Sequence, residues 1–197
     1  MIQLERFCLA AGAILLSLSI YIWMTKSMEA KEVLKQDQDL VQMIQEAWTD
    51  QPDSASILHQ PKTSSSDELV SENYLGILTI PSIGLELPVL NSWSQEDMNS
   101  VPCRYYGSVE EENLVIAAHN SWQHFGNLDQ VQYGDQAYLQ TGKDKVIAYE
   151  LKDIQILEPD QTETMLSSDY DLSLYTCTRD ALRRYTLRFS QIDFAAQ

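Results

Sequence analysis

Cysteine, glycine, proline and basic residues are all scarce in this chain of 197 residues. The three cysteines (Cys8, Cys103 and Cys177) form an odd and sparse set, which excludes a disulfide scaffold and predicts three free thiols. The seven glycines and six prolines exclude collagen-like and low-complexity chains. Lys and Arg number 13 against 29 Asp and Glu, so the formal net charge is −16. Such an acidic chain lacks the basic surface that nucleic acid requires, so no nucleic-acid partner is expected.

Hydrophobic residues make up 44 % of the chain, which is enough to build a core and excludes disorder of the whole chain. The length allows one domain of ordinary size together with an anchor or tail.

One run of 18 residues near the N-terminus, Phe7–Met24, contains no charged side chain. A helix of that length spans roughly 27 Å, close to the hydrocarbon thickness of a bilayer. Tyr21 and Trp23 lie at one end of the run, where aromatic rings favour the membrane interface. The sequence therefore predicts a transmembrane signal anchor at residues 7–24, preceded by a short cytoplasmic segment at residues 1–6.

Two alternatives to an anchor are a buried core helix and a cleaved signal peptide. The polar segment that follows the run disfavours a core helix. The sequence Met24-Thr25-Lys26 in place of small residues at a cleavage site disfavours a cleaved peptide. Basic residues lie on both sides of the run, so the positive-inside rule leaves the orientation open. An extracellular body is inferred partly from the function described below.

Residues 25–72 are predicted to form a stalk and linker. Within residues 29–48, six apolar side chains recur at roughly helical spacing: Val33, Leu34, Leu40, Val41, Ile44 and Trp48. Residues 49–72 are rich in Ser, Asp, Gln and Pro and lack any such period, which is typical of a linker.

From Asn73 onward, short apolar runs separated by turn residues predict a mostly β domain at residues 73–197. A helical turn is expected at 94–99 and a short helix at 122–131. Seven or eight strands with little helix favour a β-barrel or a sandwich. The seven runs that predict strands are 74–81, 85–90, 113–118, 135–139, 145–157, 172–177 and 184–194.

Polar side chains with reactive chemistry lie at the ends of three of these runs. His119 follows the run NLVIAA, Cys177 ends the run DLSLYT, and the pair Arg183-Arg184 opens the last run. A thiol, an imidazole and a guanidinium are a suitable set for acyl transfer, because they supply a nucleophile, a proton carrier and a donor to an oxyanion. From residue types alone the reading stays open, since a strand-end cysteine is usually a small buried side chain.

Other candidate groups have simpler interpretations. His124 lies five residues after His119, and no HExxH motif is present, so zinc is disfavoured. Cys103 is expected to be a packed thiol. No metal or cofactor is predicted.

The sequence around the three strand ends resembles that of the sortase family. The similar segments cover about residues 74–192 and read GILTIPSIGLELPVL at 76–90, NLVIAAHN at 113–120, FGNL at 125–128, GD at 134–135, LYTC at 174–177 and RYTLRF at 184–189. The resemblance implies a sortase-like closed β-barrel of seven or eight strands with short helices. It also implies that His119, Cys177 and Arg184 are the catalytic residues. Arg183 competes for the arginine role, but neighbours on a strand point to opposite faces, so only one of the two can serve.

By the same resemblance, the protein is a membrane-anchored cysteine transpeptidase whose body lies outside the cell. It would cleave an LPxTG-like C-terminal sorting signal of an exported protein and transfer that protein to an amine of a cell-wall precursor or a pilin lysine. Only about 14 residues separate the strands that end at Leu157 and begin at Leu172. This connection is shorter than in sortases that carry a long helical insertion there, so the sortase class stays open. A non-catalytic β-domain that binds a surface partner is the alternative. A papain-like protease is disfavoured, because here His precedes Cys.

Overall fold

The computed structural model of the protein describes residues 2–49, 73–94, 96–166 and 169–193. Within these ranges, the side chains of residues 2–13, 26–27, 29–31, 33–34 and 99 lie outside the description. The predicted linker lies outside the described residues except for Thr49. The chain divides into two compact units, Met1–Gln36 and Asp37–Gln197.

The first element is a helix, α1, that runs from Ile2 to Thr49. The helical spacing predicted for residues 29–48 is therefore confirmed. Among the residues that the structure describes, no helix is long and apolar enough to cross a membrane. The side chains of residues 7–13, in the predicted anchor, lie outside those described.

The last part of α1 belongs to the second unit and packs there against the sheet. Val41, Ile44 and Trp48 are buried and form a cluster with Ile77 of the first strand, against which Tyr74 also packs. Their spacing of three and four residues places the three helical side chains on one face. This apolar contact fastens the end of the helix to the domain.

Eight strands close into a barrel in the order β1-β2-β3-β4-β7-β8-β6-β5. Closure through the pairing of β1 with β5 leaves this sheet without a free edge among the described residues. The predicted β-rich barrel is thus confirmed, and seven strands lie within two residues of their predicted bounds. A short helix, α2 (Thr162–Leu166), lies between the sixth and seventh strands. The strands are β1 Tyr74–Ile80, β2 Leu85–Leu90, β3 Cys103–Tyr106, β4 Leu114–Ala117, β5 Gln136–Gln140, β6 Val146–Leu157, β7 Leu172–Cys177 and β8 Arg184–Ile192.

The sequence analysis missed β3. This strand has four residues, of which only Cys103 is buried, so it carries no apolar run. It is specified by its neighbours: Leu90 of β2 pairs with Cys103 in parallel, and β4 pairs with β3 antiparallel.

The prediction of a short helix at Trp122–Val131 is wrong. The segment forms turns and one 3₁₀ turn at Leu128–Gln130. The carbonyl oxygen of Ser121 accepts hydrogen bonds from the amides of His124 (3.0 Å) and Gly126 (2.7 Å), which fold the chain back on itself. A Cβ atom at Gly126 would lie 2.5 Å from that oxygen, so the close turn requires glycine.

The helical turn predicted at Ser94–Asn99 is present as a 3₁₀ turn at Asp97–Asn99. The hydroxyl of Ser94 accepts a hydrogen bond from the amide of Asp97 at 3.0 Å, just before this turn.

Asp37 lies at the start of the second unit, and its buried Oδ2 atom has no hydrogen-bond partner among the described residues. Burial raises the pKa of this carboxyl from 3.8 to about 6. Between those values the folded chain holds a proton that the unfolded chain has released, so the free energy of unfolding falls as pH rises through this window. The charged carboxylate therefore destabilises the folded chain above about pH 6.

We predict that Asp37→Asn raises the free energy of unfolding at pH 8 by about 1–2 kcal/mol and changes it little at about pH 2.5, where the Asp37 carboxyl is protonated in both states. Urea titrations of the full chain at the two pH values measure the difference. Asp39→Asn, at an exposed position two residues along, is the matched control and should change little at either pH. Equal stabilisation by Asp37→Asn at both pH values would contradict the titration of Asp37.

Candidate active site

Two of the predicted site residues meet because β4 and β7 are neighbouring parallel strands. The pairing runs from Leu114 opposite Leu172 to Ala117 opposite Tyr175. Continued two residues further with the same offset, this register brings His119 level with Cys177. The carboxyl ends of parallel strands lie at one edge of a sheet, so both side chains are held at that edge.

The third predicted residue is supplied by the antiparallel neighbour of β7. Strand β8 begins at Arg184, which pairs directly with Cys177. Directly opposed residues of an antiparallel pair project from the same face of the sheet. The nearest contact joins Arg184 Nη1 to Cys177 Sγ at 3.5 Å.

Side chains alternate between the two faces of each strand, and this places Cys177 and Arg184 on the outer face of the barrel. Leu114 and Ile116 of β4, and Leu172 and Leu174 of β7, belong to the core inside the barrel. Residues an odd number of positions away from them on the same strand project outward, and Cys177, three residues after Leu174, is one of these. The site is consequently built on the outside of the closed sheet, where a substrate has access.

The backbone beyond the parallel pairing is held by further hydrogen bonds. The side-chain amide of Asn120 donates to the carbonyl oxygen of Cys177 at 2.7 Å. The carbonyl oxygen of His119 accepts from the amides of Ser121 (2.9 Å) and Phe125 (3.2 Å). Phe125 is buried in the core, so its packing there holds the turn after His119 in place. These contacts fix the two chain segments that carry the imidazole and the thiol.

His119, Cys177 and Arg184 are half-buried and line one cleft of about 350 Å³. Apolar and aromatic side chains line about half of the cleft, and polar or charged side chains line the rest. Beside the three predicted residues, the cleft is lined by Trp93, Met98, Tyr105, Ala118, Glu158, Pro159, Gln161, Thr162, Met165, Tyr175 and Thr176.

Three aromatic rings form one wall of the cleft. Trp93 meets Tyr105 edge to face at a centroid distance of 5.7 Å, and Tyr105 meets Tyr175 in the same way at 5.3 Å. Burial raises the pKa of Tyr175 above its usual value, so its hydroxyl stays neutral. This wall can therefore pack against apolar parts of a peptide without presenting a charge.

A further part of the cleft is lined by the connection between β6 and β7. Met165 of α2 is buried against Val115 and Leu157, with Tyr105 and Tyr175 packed beside them. This small apolar cluster lies outside the barrel core and joins α2 to the outer face of the sheet.

Arg183 is not among the residues that line the cleft. Its backbone closes the β7–β8 turn: its carbonyl oxygen accepts from the amide of Thr178 at 2.9 Å, and its amide donates to the Thr178 hydroxyl at 3.1 Å. The structure therefore places Arg184 in the cleft and assigns Arg183 a role in the turn. That Arg184 is catalytic stays a prediction at this point.

Cys103 and His124 lie away from the cleft. Cys103 is a free, fully buried thiol, and burial raises its pKa to about 11, as suits a packed thiol of low reactivity. His124 is buried with its Nε2 atom 3.0 Å from the carbonyl oxygen of Ser100, and burial lowers its pKa. Among the described residues, no group of three or more His, Cys, Asp or Glu side chains could hold a metal ion.

The sequence analysis missed the aromatic wall and a buried arginine, Arg188. Trp93 and Tyr105 are far from Tyr175 in the sequence, so no local pattern joins them. Arg188 stands in the run RYTLRF at the same parity as Arg184, and this alternation was the available signal.

The arrangement can perform acyl transfer at a peptide bond. The cleft presents a half-exposed thiol, a guanidinium within 3.5 Å of its sulfur, and an imidazole at the same register position. These groups match the nucleophile, the oxyanion donor and the proton carrier that thioester formation needs. The fold and the cleft thus define a cysteine acyltransferase built on a closed β-barrel.

Comparison with known proteins agrees with this class. The family model described as the sortase domain matches residues 78–190, more than half of the chain. Sortase A of Bacillus anthracis is 23 % identical over 171 residues, which cover 83 % of this chain and 78 % of that relative.

Solved sortase structures share the fold. Sortase C of Streptococcus pneumoniae is 25 % identical with a TM-score of 0.57, and the match covers 86 % of this chain and 97 % of that one. A sortase D5 transpeptidase of Clostridium perfringens is 21 % identical with a TM-score of 0.55, covering 61 % of this chain and 79 % of that one.

The chain belongs to the sortase family, and the protein is a cysteine transpeptidase of the sortase type. This assignment confirms the resemblance found in the sequence. It also disfavours the alternative of a non-catalytic binding domain.

We predict that the two adjacent arginines differ sharply in their effect on peptide cleavage. Arg184→Ala should lower kcat/KM by about 10²–10³, the usual effect of removing a preorganised donor. Arg184→Lys should also be poor, because it keeps the charge and loses the planar fork. Arg183→Ala should cost less than about fivefold, as for an arginine outside the cleft.

The measurement is kcat/KM on one sorting-signal peptide, with folding checked by circular dichroism. A crippled Arg183→Ala variant beside an active Arg184→Ala variant would show that the wrong arginine has been placed in the cleft.

Proposed function

We propose that the protein cleaves an LPxTG-like C-terminal sorting signal of an exported protein and transfers that protein to an amine. His119, Cys177 and Arg184 are the catalytic residues in this proposal. The observation that carries it is the contact of Arg184 Nη1 with Cys177 Sγ at 3.5 Å, in a cleft that His119 also lines.

In the first step, the Cys177 thiol gives its proton to His119, and the resulting thiolate attacks the carbonyl carbon of the scissile peptide bond. Arg184 donates hydrogen bonds to the developing oxyanion or to the substrate carbonyl beside it. The C–N bond then breaks, His119 gives a proton to the leaving amine, and a thioacyl-enzyme remains.

In the second step, an acceptor amine attacks the thioester carbonyl. The imidazole of His119 takes the proton from the amine, the C–S bond breaks, and the Cys177 sulfur is released. A new amide bond forms, and no cofactor is consumed. The amide bond formed with the acceptor replaces the amide bond broken in the sorting signal.

The lining of the cleft supports a peptide with Leu-Pro before the cleavage site. Trp93, Tyr105 and Tyr175 form one apolar wall, and Pro159 and Met165 lie on the β6–β7 connection. The apolar side chains of Leu and Pro can be removed from water by packing against these residues.

The acceptor is an amine of a cell-wall precursor or a pilin lysine. Pilin is a substrate of the similar sortase C of Streptococcus pneumoniae. We therefore include pilin subunits among the candidate partners.

We further propose that the protein is a single-pass membrane protein with residues 25–197 outside the cell. In α1, apolar side chains from Ile14 to Met24 are exposed around the helix, with Leu15, Tyr21 and Trp23 each more than 60 % accessible. Together with the charge-free run that begins at Phe7, this surface suits a lipid environment. Holding enzyme and substrate at one surface would also raise their effective concentration.

We predict that Cys177→Ala abolishes cleavage of a fluorogenic LPETG peptide, a loss of at least about 10³-fold, because the nucleophile is removed. Cys103→Ala should keep most of the activity, because that thiol is buried away from the cleft. Initial rates of the full-length variants in detergent give the comparison. Equal loss in both variants, with folding intact, would count against Cys177 as the nucleophile.

We predict that protease added to protoplasts expressing the full chain degrades the body of the protein. Immunoblotting with an antibody against the C-terminal half measures this, and a cytoplasmic protein is the control for intact membranes. Full protection of the body would place it inside the cell and exclude the proposed topology.

A further inference from the structure

Arg188 carries a charge in a place where charges are rare. It lies in β8 and is completely buried, between Leu187 and Phe189, which point into the barrel core. Arg188 itself projects outward, on the same side as Arg184 and Thr186. A buried guanidinium destabilises a fold unless its donors are satisfied, so its partners show what it holds.

The partners of Arg188 come from three different segments. Nη1 donates to the carbonyl oxygen of Met165 (3.0 Å) and to the hydroxyl of Ser173 (2.7 Å). Nη2 donates to the carbonyl oxygen of Thr164 (2.7 Å), and Nε donates to Gln155 Oε1 (3.2 Å). One side chain therefore joins β6, α2 and β7.

The helix α2 needs such an anchor. It has only five residues, too few to be stable alone. The last carbonyl groups of a helix have no partners within it, and Arg188 satisfies two of those in α2, at Thr164 and Met165. A cation at the end of a helix is also favoured by the helix dipole.

The same helix forms part of the cleft. Thr162 and Met165 line it, together with Glu158 and Pro159 just before the helix. Arg188 is outside the cleft, so it can act on a substrate only through the position of this wall.

We propose that Arg188 is a positioning residue, which holds the β6–β7 connection against the outer face of the barrel and thereby sets the width of the cleft for the peptide substrate. That this wall contacts the sorting-signal peptide rests on the proposed function. The planar fork is essential to the role, because a lysine ammonium cannot reach carbonyl groups, a hydroxyl and an amide in one plane.

The inference is tested with full-length Arg188→Lys and Arg188→Met in detergent. Arg179→Met is the matched control, because Arg179 is 82 % exposed and forms only a surface ion pair with Asp129. Steady-state cleavage of the fluorogenic LPETG peptide separates KM from kcat. The rate of alkylation of Cys177 by iodoacetamide reports the reacting end without the peptide.

For Arg188→Lys we expect KM to rise about tenfold, because only the fraction of molecules that hold the wall in place can bind the peptide fully. Alkylation of Cys177 should stay within about twofold of wild type, because its rate does not depend on the peptide wall. Amide hydrogen exchange should accelerate in residues 158–166 and stay unchanged in β7 and β8. The Arg179→Met control should show none of these changes.

Unchanged exchange in residues 158–166, or exchange that rises equally in β7 and β8, would overturn the positioning role. If Arg188→Met does not fold, Arg188→Lys and Ser173→Ala, which removes one bond, still give the comparison. If the wild type cleaves no LPETG peptide, the proposed substrate is wrong, while hydrogen exchange still decides whether Arg188 anchors the wall.

Discussion

The site depends on one pairing, the parallel contact between β4 and β7. Parallel neighbours end at the same edge of the sheet, and the register of Leu114 with Leu172 carries His119 to the level of Cys177. An antiparallel pairing would place the two side chains at opposite ends of the strands. The antiparallel strand β8 then adds Arg184 directly opposite Cys177. His119, which is distant in the chain, is thus brought beside Cys177 and Arg184 by the pairing of these three strands.

Closure of the barrel decides on which side the chemistry lies. The inside of a small barrel is filled by apolar side chains, here including Ile116, Leu174 and Leu187, so no substrate can enter. The reactive side chains project outward and need a separate cover to form a cleft. The β6–β7 connection supplies that cover, fastened by the apolar cluster around Met165 and by the buried guanidinium of Arg188.

Most of the strands were predictable because each carries an apolar run between turn residues. The exception, β3, is short and holds its place through a single parallel partner in β2 and its pairing with β4. The helix expected at Trp122–Val131 failed for a similar reason. A short helix was expected there, but the close approach of Gly126 to the Ser121 carbonyl folds the segment into turns. Local pattern cannot report contacts of that kind.

The sequence by itself determined the mostly β character of the body, the helix before it, and the positions of His119, Cys177 and Arg184 at the ends of strands. It could do so because alternation, apolar runs and short motifs are local properties of the chain. Only the tertiary structure decided that these ends converge in one cleft and that Arg188 is buried against α2. Those outcomes depend on strand order, register and burial, which are set by pairings between residues distant in the sequence.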